Sequence, residues 1–79
     1  MTELRKKYAY RFKQYPDMVT VLQFREMLGG IGDVFARRLI HEKRVKAIYV
    51  KPHYWISKES IIDYVLSEDY AYRKLKNRI

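Results

Sequence analysis

The stretch Gly29-Gly30-Ile31-Gly32 constrains this chain most, because it separates two segments that each carry helix signals and leaves room between them only for a corner. Upstream, Thr20 is followed three residues later by Gln23, the spacing of a capping box, and Val21, Phe24, Met27 and Leu28 recur with helical period. A short helix over 21–28 is expected. Gly29-Gly30 ends it, since glycine takes up the left-handed conformation that closes a helix without a Cβ penalty. Downstream, Gly32 takes the cap position and Asp33 the first turn, where the helix dipole favours a carboxylate. The second helix is expected to run to Glu42 or Lys43 and to bury Ala36, Leu39 and Ile40. Gly30-Ile31-Gly32 also matches the start of a dinucleotide-binding G-x-G-x-x-G, but that fingerprint needs a strand before its first glycine and a glycine in third place. Here a helix precedes it and Phe35 holds the third place, so the segment reads as a helix-turn-helix.

The flanking segments are less decided. Over 2–15, Thr2 as cap and Leu4, Tyr8, Phe12 and Tyr15 on one face suggest a helix, while Tyr8, Tyr10 and Phe12 also alternate as in a strand; helix is the favoured reading. Pro16-Asp17 then breaks the chain. After the second helix, Lys46–Val50 and Tyr54–Ile56 are short runs rich in β-branched and aromatic residues, separated by Lys51-Pro52-His53. They predict a hairpin. Tyr54 and Ile56 are expected to be buried on one strand face, with Trp55 pointing the other way toward the C-terminal helix. Ser57 caps a third helix that buries Ile61, Ile62, Val65 and Leu66, and Ser67-Glu68-Asp69 interrupts its stripe before Tyr70, Tyr72 and Leu75 resume it.

The chain has 79 residues, no cysteine and a net charge of +8. That length suits one small domain held by apolar packing alone, without disulfide or thiolate metal site, and fits a reducing cytoplasm. It lacks an apolar run of about 18 residues and an N-terminal signal core, which argues against membrane insertion and export. The charge is segregated. Arg5, Lys6, Lys7, Arg11 and Lys13 face only Glu3, giving +4, and Arg73, Lys74, Lys76 and Arg78 add another +4. From Asp33 to His53, Arg37, Arg38, Lys43, Arg44, Lys46 and Lys51 face Asp33 and Glu42, whereas Tyr54–Asp69 sets Lys58 against Glu59, Asp63, Glu68 and Asp69. Such a pattern predicts a polyanion-binding edge between basic arms. A surface that simply keeps a small protein soluble is the alternative.

The order helix, glycine corner, helix, hairpin, helix over Val19–Val65 resembles the excisionase-family helix-turn-helix proteins, winged-helix domains related to the MerR regulators. Thr20, Phe24 and Leu28 fall on the family's first helix, Arg38-Leu39-Ile40 on its second, and Ile56, Ile61 and Tyr64 on its last. Phe24 stands where the family usually has alanine, Gly29-Gly30 adds a glycine to the corner, and Lys51-Pro52 replaces the glycines of the wing turn. The resemblance implies an α+β, mostly α fold: a winged helix-turn-helix over 18–67 with a two-stranded wing. A basic arm over 1–17 and a basic extension of the last helix over 68–79 would flank it. It implies binding of double-stranded DNA without catalysis. The expected role is an excisionase that bends attachment-site DNA to help a tyrosine recombinase excise a mobile element, self-associating cooperatively on that DNA. A small transcription regulator of a phage or mobile element and a basic protein-interaction module are the alternatives.

In that setting the recognition face of the second helix carries Asp33, Val34, Arg37, Arg38 and His41. Arginine suits the major groove because its planar fork donates two hydrogen bonds to guanine, and Val34 suits a thymine methyl. Lys43, Arg44, Lys46, Lys51 and His53 are expected on phosphates or at the wing tip. The histidines His41 and His53 make no metal site with this spacing, since His41-Glu42-Lys43-Arg44-Val45 lacks the second histidine of H-E-x-x-H; no metal or cofactor is expected.

Overall fold

Capping residues and glycines divide the chain into short elements. The computed structural model describes residues 3–77; Thr2, expected as a cap, and Arg78 lie outside them. The order is α1 (Glu3–Arg11), β1 (Met18–Val19), α2 (Val21–Met27), α3 (Asp33–His41), β2 (Ala47–Val50), β3 (His53–Ser57), α4 (Lys58–Val65) and α5 (Glu68–Asn77). The described residues thus form a small α+β fold, mostly helical, with an antiparallel sheet in the order β1-β3-β2. No helix among them is long and apolar enough to cross a membrane.

The corner forms as its residues dictate. Thr20 Oγ1 accepts from the Gln23 N–H at 3.1 Å and Gln23 Oε1 accepts from the Thr20 N–H at 3.0 Å, so two donors that helix geometry leaves orphaned are satisfied reciprocally. Gly29 and Gly30 have φ of +85° and +87°, and a Cβ added to either would meet nothing within 4 Å. Arg25 locks the exit: its carbonyl accepts from the Gly30 N–H at 2.8 Å while its Nε donates to the Ile31 carbonyl at 3.0 Å. Gly32 then caps α3 without a side chain. As expected, Ala36, Leu39 and Ile40 are buried.

The sheet corrects the sequence reading in two ways. It has three strands rather than the two of a simple wing, because Met18-Val19 pairs with Ser57-Ile56. Two residues leading straight into a helix cap are too few to show alternation. The hairpin loop is Lys51-Pro52 alone, joined by a cis peptide bond, and His53 opens β3 opposite Val50. Ile56 is fully buried as expected, whereas Tyr54 is only half-buried, beside His41 at the end of α3. Trp55 lines a groove with Thr20, Val21 and Leu22 at the start of α2.

The core gathers Phe24, Leu39, Ile56, Ile61, Ile62 and Val19, each under 2% exposed. Ser60, buried between sheet and helix, accepts from the Lys46 N–H at 2.9 Å and donates to the Ser57 carbonyl at 2.8 Å, tying the start of β2 to α4. Ser57 caps α4, and Ile61, Ile62 and Val65 are buried as expected; Leu66 is half-buried. α4 does not extend through the tail. It ends at Val65, and the Tyr70 N–H donates to Ser67 Oγ at 3.2 Å at the start of a separate helix. The N-terminal segment is helical but ends at Arg11, with Phe12 buried in the turn that follows and Leu4 more than half exposed.

Candidate nucleic-acid interface

The three buried residues of α3 leave Asp33, Val34, Arg37, Arg38 and His41 facing solvent, with Val34 73% exposed. With Ala36, Leu39 and Ile40 on its buried side, α3 presents these five residues as one solvent-exposed face. Arg37 is not idle on it: its Nε donates to Asp33 Oδ2 at 2.9 Å across one helical turn. Asp33 thereby orients Arg37 and neutralises it in part, while Arg38 makes no ion pair among the described residues.

The hairpin meets this helix along two grooves. One, of about 430 Å³, brings His41, Lys43 and Lys46 together with Tyr49 and Tyr54, whose rings lie 4.9 Å apart, and the His41 ring stands edge-on to Tyr54 at 6.2 Å. The other, of about 360 Å³, brings Arg37 beside Pro52, His53 and Trp55. Arg37 and His41 of the expected recognition face therefore adjoin hairpin residues, whereas Val34 and Arg38 line a separate groove with Gly30, Gly32, Phe35 and Arg73, and Lys51 is exposed on the hairpin loop. Tyr49 and Tyr54 belong to the candidate interface as well. Their contact with His41 has no signal in the sequence, because it depends on how the hairpin folds back.

Lys43 has a feature that sequence reasoning missed. Its φ is +61°, a left-handed conformation that favours glycine, at the position where α3 closes with the Arg44 N–H donating to the Leu39 carbonyl at 3.0 Å. A lysine there costs on the order of 1 kcal/mol relative to glycine.

Arg44 departs from its expected grouping with Lys43 and Lys46. Its Nε donates to Glu42 Oε1 at 3.3 Å and its other arm lies 3.7 Å from Asp69 Oδ1. Arg73 joins the same pair of acids, at 2.7 Å from Glu42 Oε1 and 2.9 Å from Asp69 Oδ2, with its guanidinium 5.9 Å from the Phe35 ring. This cluster ties α5 to the end of α3. At the other end of the chain Arg5 pairs with Glu59 at 3.2 Å and with Asp63, fastening α1 to α4. The acidic strip read in the sequence is thus partly matched by the basic arms. Lys43, Lys46 and Lys51, like Arg38, make no ion pair among the described residues, so positive charge stays uncompensated beside α3 and on the hairpin.

The hydrogen bond from Arg44, followed by that from Arg73, holds the Glu42 carboxyl below its ordinary range against the opposing effect of burial. A depressed carboxyl contributes stability above its unfolded pKa and loses that contribution as pH falls through the folded value. Glu42→Gln is accordingly expected to melt lower than the parent at neutral pH and to show a flatter acid limb. Thermal melts from pH 6 to pH 2 check this, and parallel curves would show that the cluster contributes nothing. In the same cluster, burial and the bond its hydroxyl donates to Asp69 at 2.8 Å raise the Tyr64 phenol.

No family model, curated protein or solved structure matches this chain.

Proposed function

We propose that this chain is a winged helix-turn-helix protein that binds specific sequences in double-stranded DNA, with α3 in the major groove and the β2–β3 hairpin against the flanking backbone. The observation that carries the reading is the solvent face of α3, where Val34, Arg37, Arg38 and His41 are all exposed and His41 adjoins the uncompensated Lys43 and Lys46. Arginine forks and an aliphatic contact supply direct readout, while the lysines contact phosphate and release counterions. An excisionase-like role follows from the sequence resemblance: the protein bends attachment-site DNA beside a tyrosine recombinase and performs no bond chemistry itself. Modules of this size bury only about 600–1,000 Å² on DNA, so neighbouring copies are expected to bind cooperatively.

Lys43 offers a test that separates this role from mere helix termination. Lys43→Gly is expected to stabilise the protein by about 1 kcal/mol through relief of the left-handed strain. In gel shifts against random competitor duplex at several salt concentrations, the same variant should bind DNA more weakly, with a salt slope shallower by about 0.9. A stabilised variant with undiminished binding would remove Lys43 from the interface. Failure of the parent protein to prefer any duplex over random DNA would overturn sequence-specific binding altogether.

A further inference from the structure

A cleft of about 490 Å³ opens where α1, the end of α2 and α5 meet, sharing no lining residue with the grooves around α3. Its floor is apolar, formed in part by the buried Phe12, Met27 and Leu28, and the rings of Tyr8 and Tyr70 stand in its walls. Each of these tyrosines carries a cation. The Arg11 guanidinium lies 5.2 Å from the centre of the Tyr8 ring, and Lys74 Nζ lies 5.8 Å from that of Tyr70. Unlike Arg5, Arg44 and Arg73, neither cation makes an ion pair among the described residues, and neither tyrosine hydroxyl makes a hydrogen bond among them. Burial, with the Tyr8 hydroxyl nearby, raises the Tyr70 phenol, which keeps it a donor through the physiological range.

An apolar floor framed by phenol donors and ring-held cations calls for a ligand with an apolar body and negative charge on its flanks. A nucleic-acid backbone fits poorly, because it has no side chain to fill the floor; the one acid in the lining, Glu26, leaves the cleft net positive beside Arg11 and Lys74. A protein segment supplies both parts. We propose that this cleft docks an acidic segment of a partner protein, seating one aromatic or large aliphatic side chain on the floor and its neighbouring carboxylates on Arg11 and Lys74. This surface is separate from the proposed DNA-binding face, so one molecule can engage both ligands at once.

The test uses the full chain, ¹⁵N-labelled, and a fluorescein-labelled peptide of glutamates around a single phenylalanine. Two control peptides replace the phenylalanine by alanine or the glutamates by glutamine. Amide shifts centred on Tyr8, Phe12, Leu28 and Tyr70 are expected with the parent peptide, and anisotropy should show binding weakened about tenfold or more by either control or by Arg11→Glu with Lys74→Glu. Both substituted residues are exposed, so the variant should melt like the parent. No cleft shifts at millimolar peptide, or equal binding of all three peptides, overturns the proposal. A duplex that shifts the cleft more than α3 also overturns it and makes the cleft a nucleic-acid surface. A duplex that shifts α3 alone leaves the proposal standing on the peptide result, and a protein that binds peptide but no DNA refutes only the DNA-binding reading.

Discussion

Replacing Arg37 and Arg38 together by alanine is expected to abolish the preference for a specific duplex while leaving helix content unchanged. Both side chains lie on the exposed face of α3, whose packing is carried by Ala36, Leu39 and Ile40 on the opposite side. Each arginine that forks onto a guanine contributes about 1–3 kcal/mol of discrimination, roughly five- to 150-fold in Kd. The two are not equivalent. Arg37 is shared with Asp33 at 2.9 Å and must divide its donors, whereas Arg38 has no such competitor among the described residues, so Arg38→Ala should cost more than Arg37→Ala. Binding to random duplex should survive with a shallower salt slope, because Lys43, Lys46 and Lys51 still release counterions. Dissociation constants for selected and random duplexes, with circular dichroism for the fold, check this. An undiminished preference in the double variant would move sequence reading off α3.

Phe24→Ala is expected to cost about 3–5 kcal/mol, the range for emptying a fully buried aromatic site. The ring is 0% exposed on α2, the helix that packs against both α3 and β3. A domain of 79 residues has about 4–12 kcal/mol of stability at about 0.05–0.15 kcal/mol per residue, so the variant should be close to unfolded or melt more than about 12 °C lower. Urea unfolding checks it, and a loss under about 1 kcal/mol would mean that neighbouring side chains collapse into the vacated space.

Local signals made much of the fold legible. The Thr20–Gln23 box, the glycine pair, the Ser57 cap and the buried trio of α3 all depend on residues within a few positions of one another, and the structure bears them out. β1 was not legible, because a two-residue strand has no periodicity and exists only where β3 comes alongside. The break between α4 and α5 was visible but misread. Ser67-Glu68-Asp69 is a helix start, with a hydroxyl acceptor and acids in the first turn, rather than an interruption in one helix. In the candidate interface the exposed face of α3 could be read from the sequence, but the fates of individual cations could not. Arg44 is diverted to Asp69 and Arg73 to Glu42 by contacts between segments far apart in the chain. Lys43 escaped notice because a lysine carries no sign of a left-handed backbone.

The corner before α3 has a consequence for which substitutions the chain can accept. With nothing within 4 Å of a Cβ built on Gly29 or Gly30, bulk is not what excludes other residues there. The whole penalty is torsional, set by φ values near +85° that are costly for most L-residues. Tolerance at these positions should therefore be ordered by handedness and not by volume: asparagine, though larger, is a milder replacement than alanine, because its short amide side chain accommodates the left-handed well. The size-ordered intuition that governs Phe24 is inverted a few residues away.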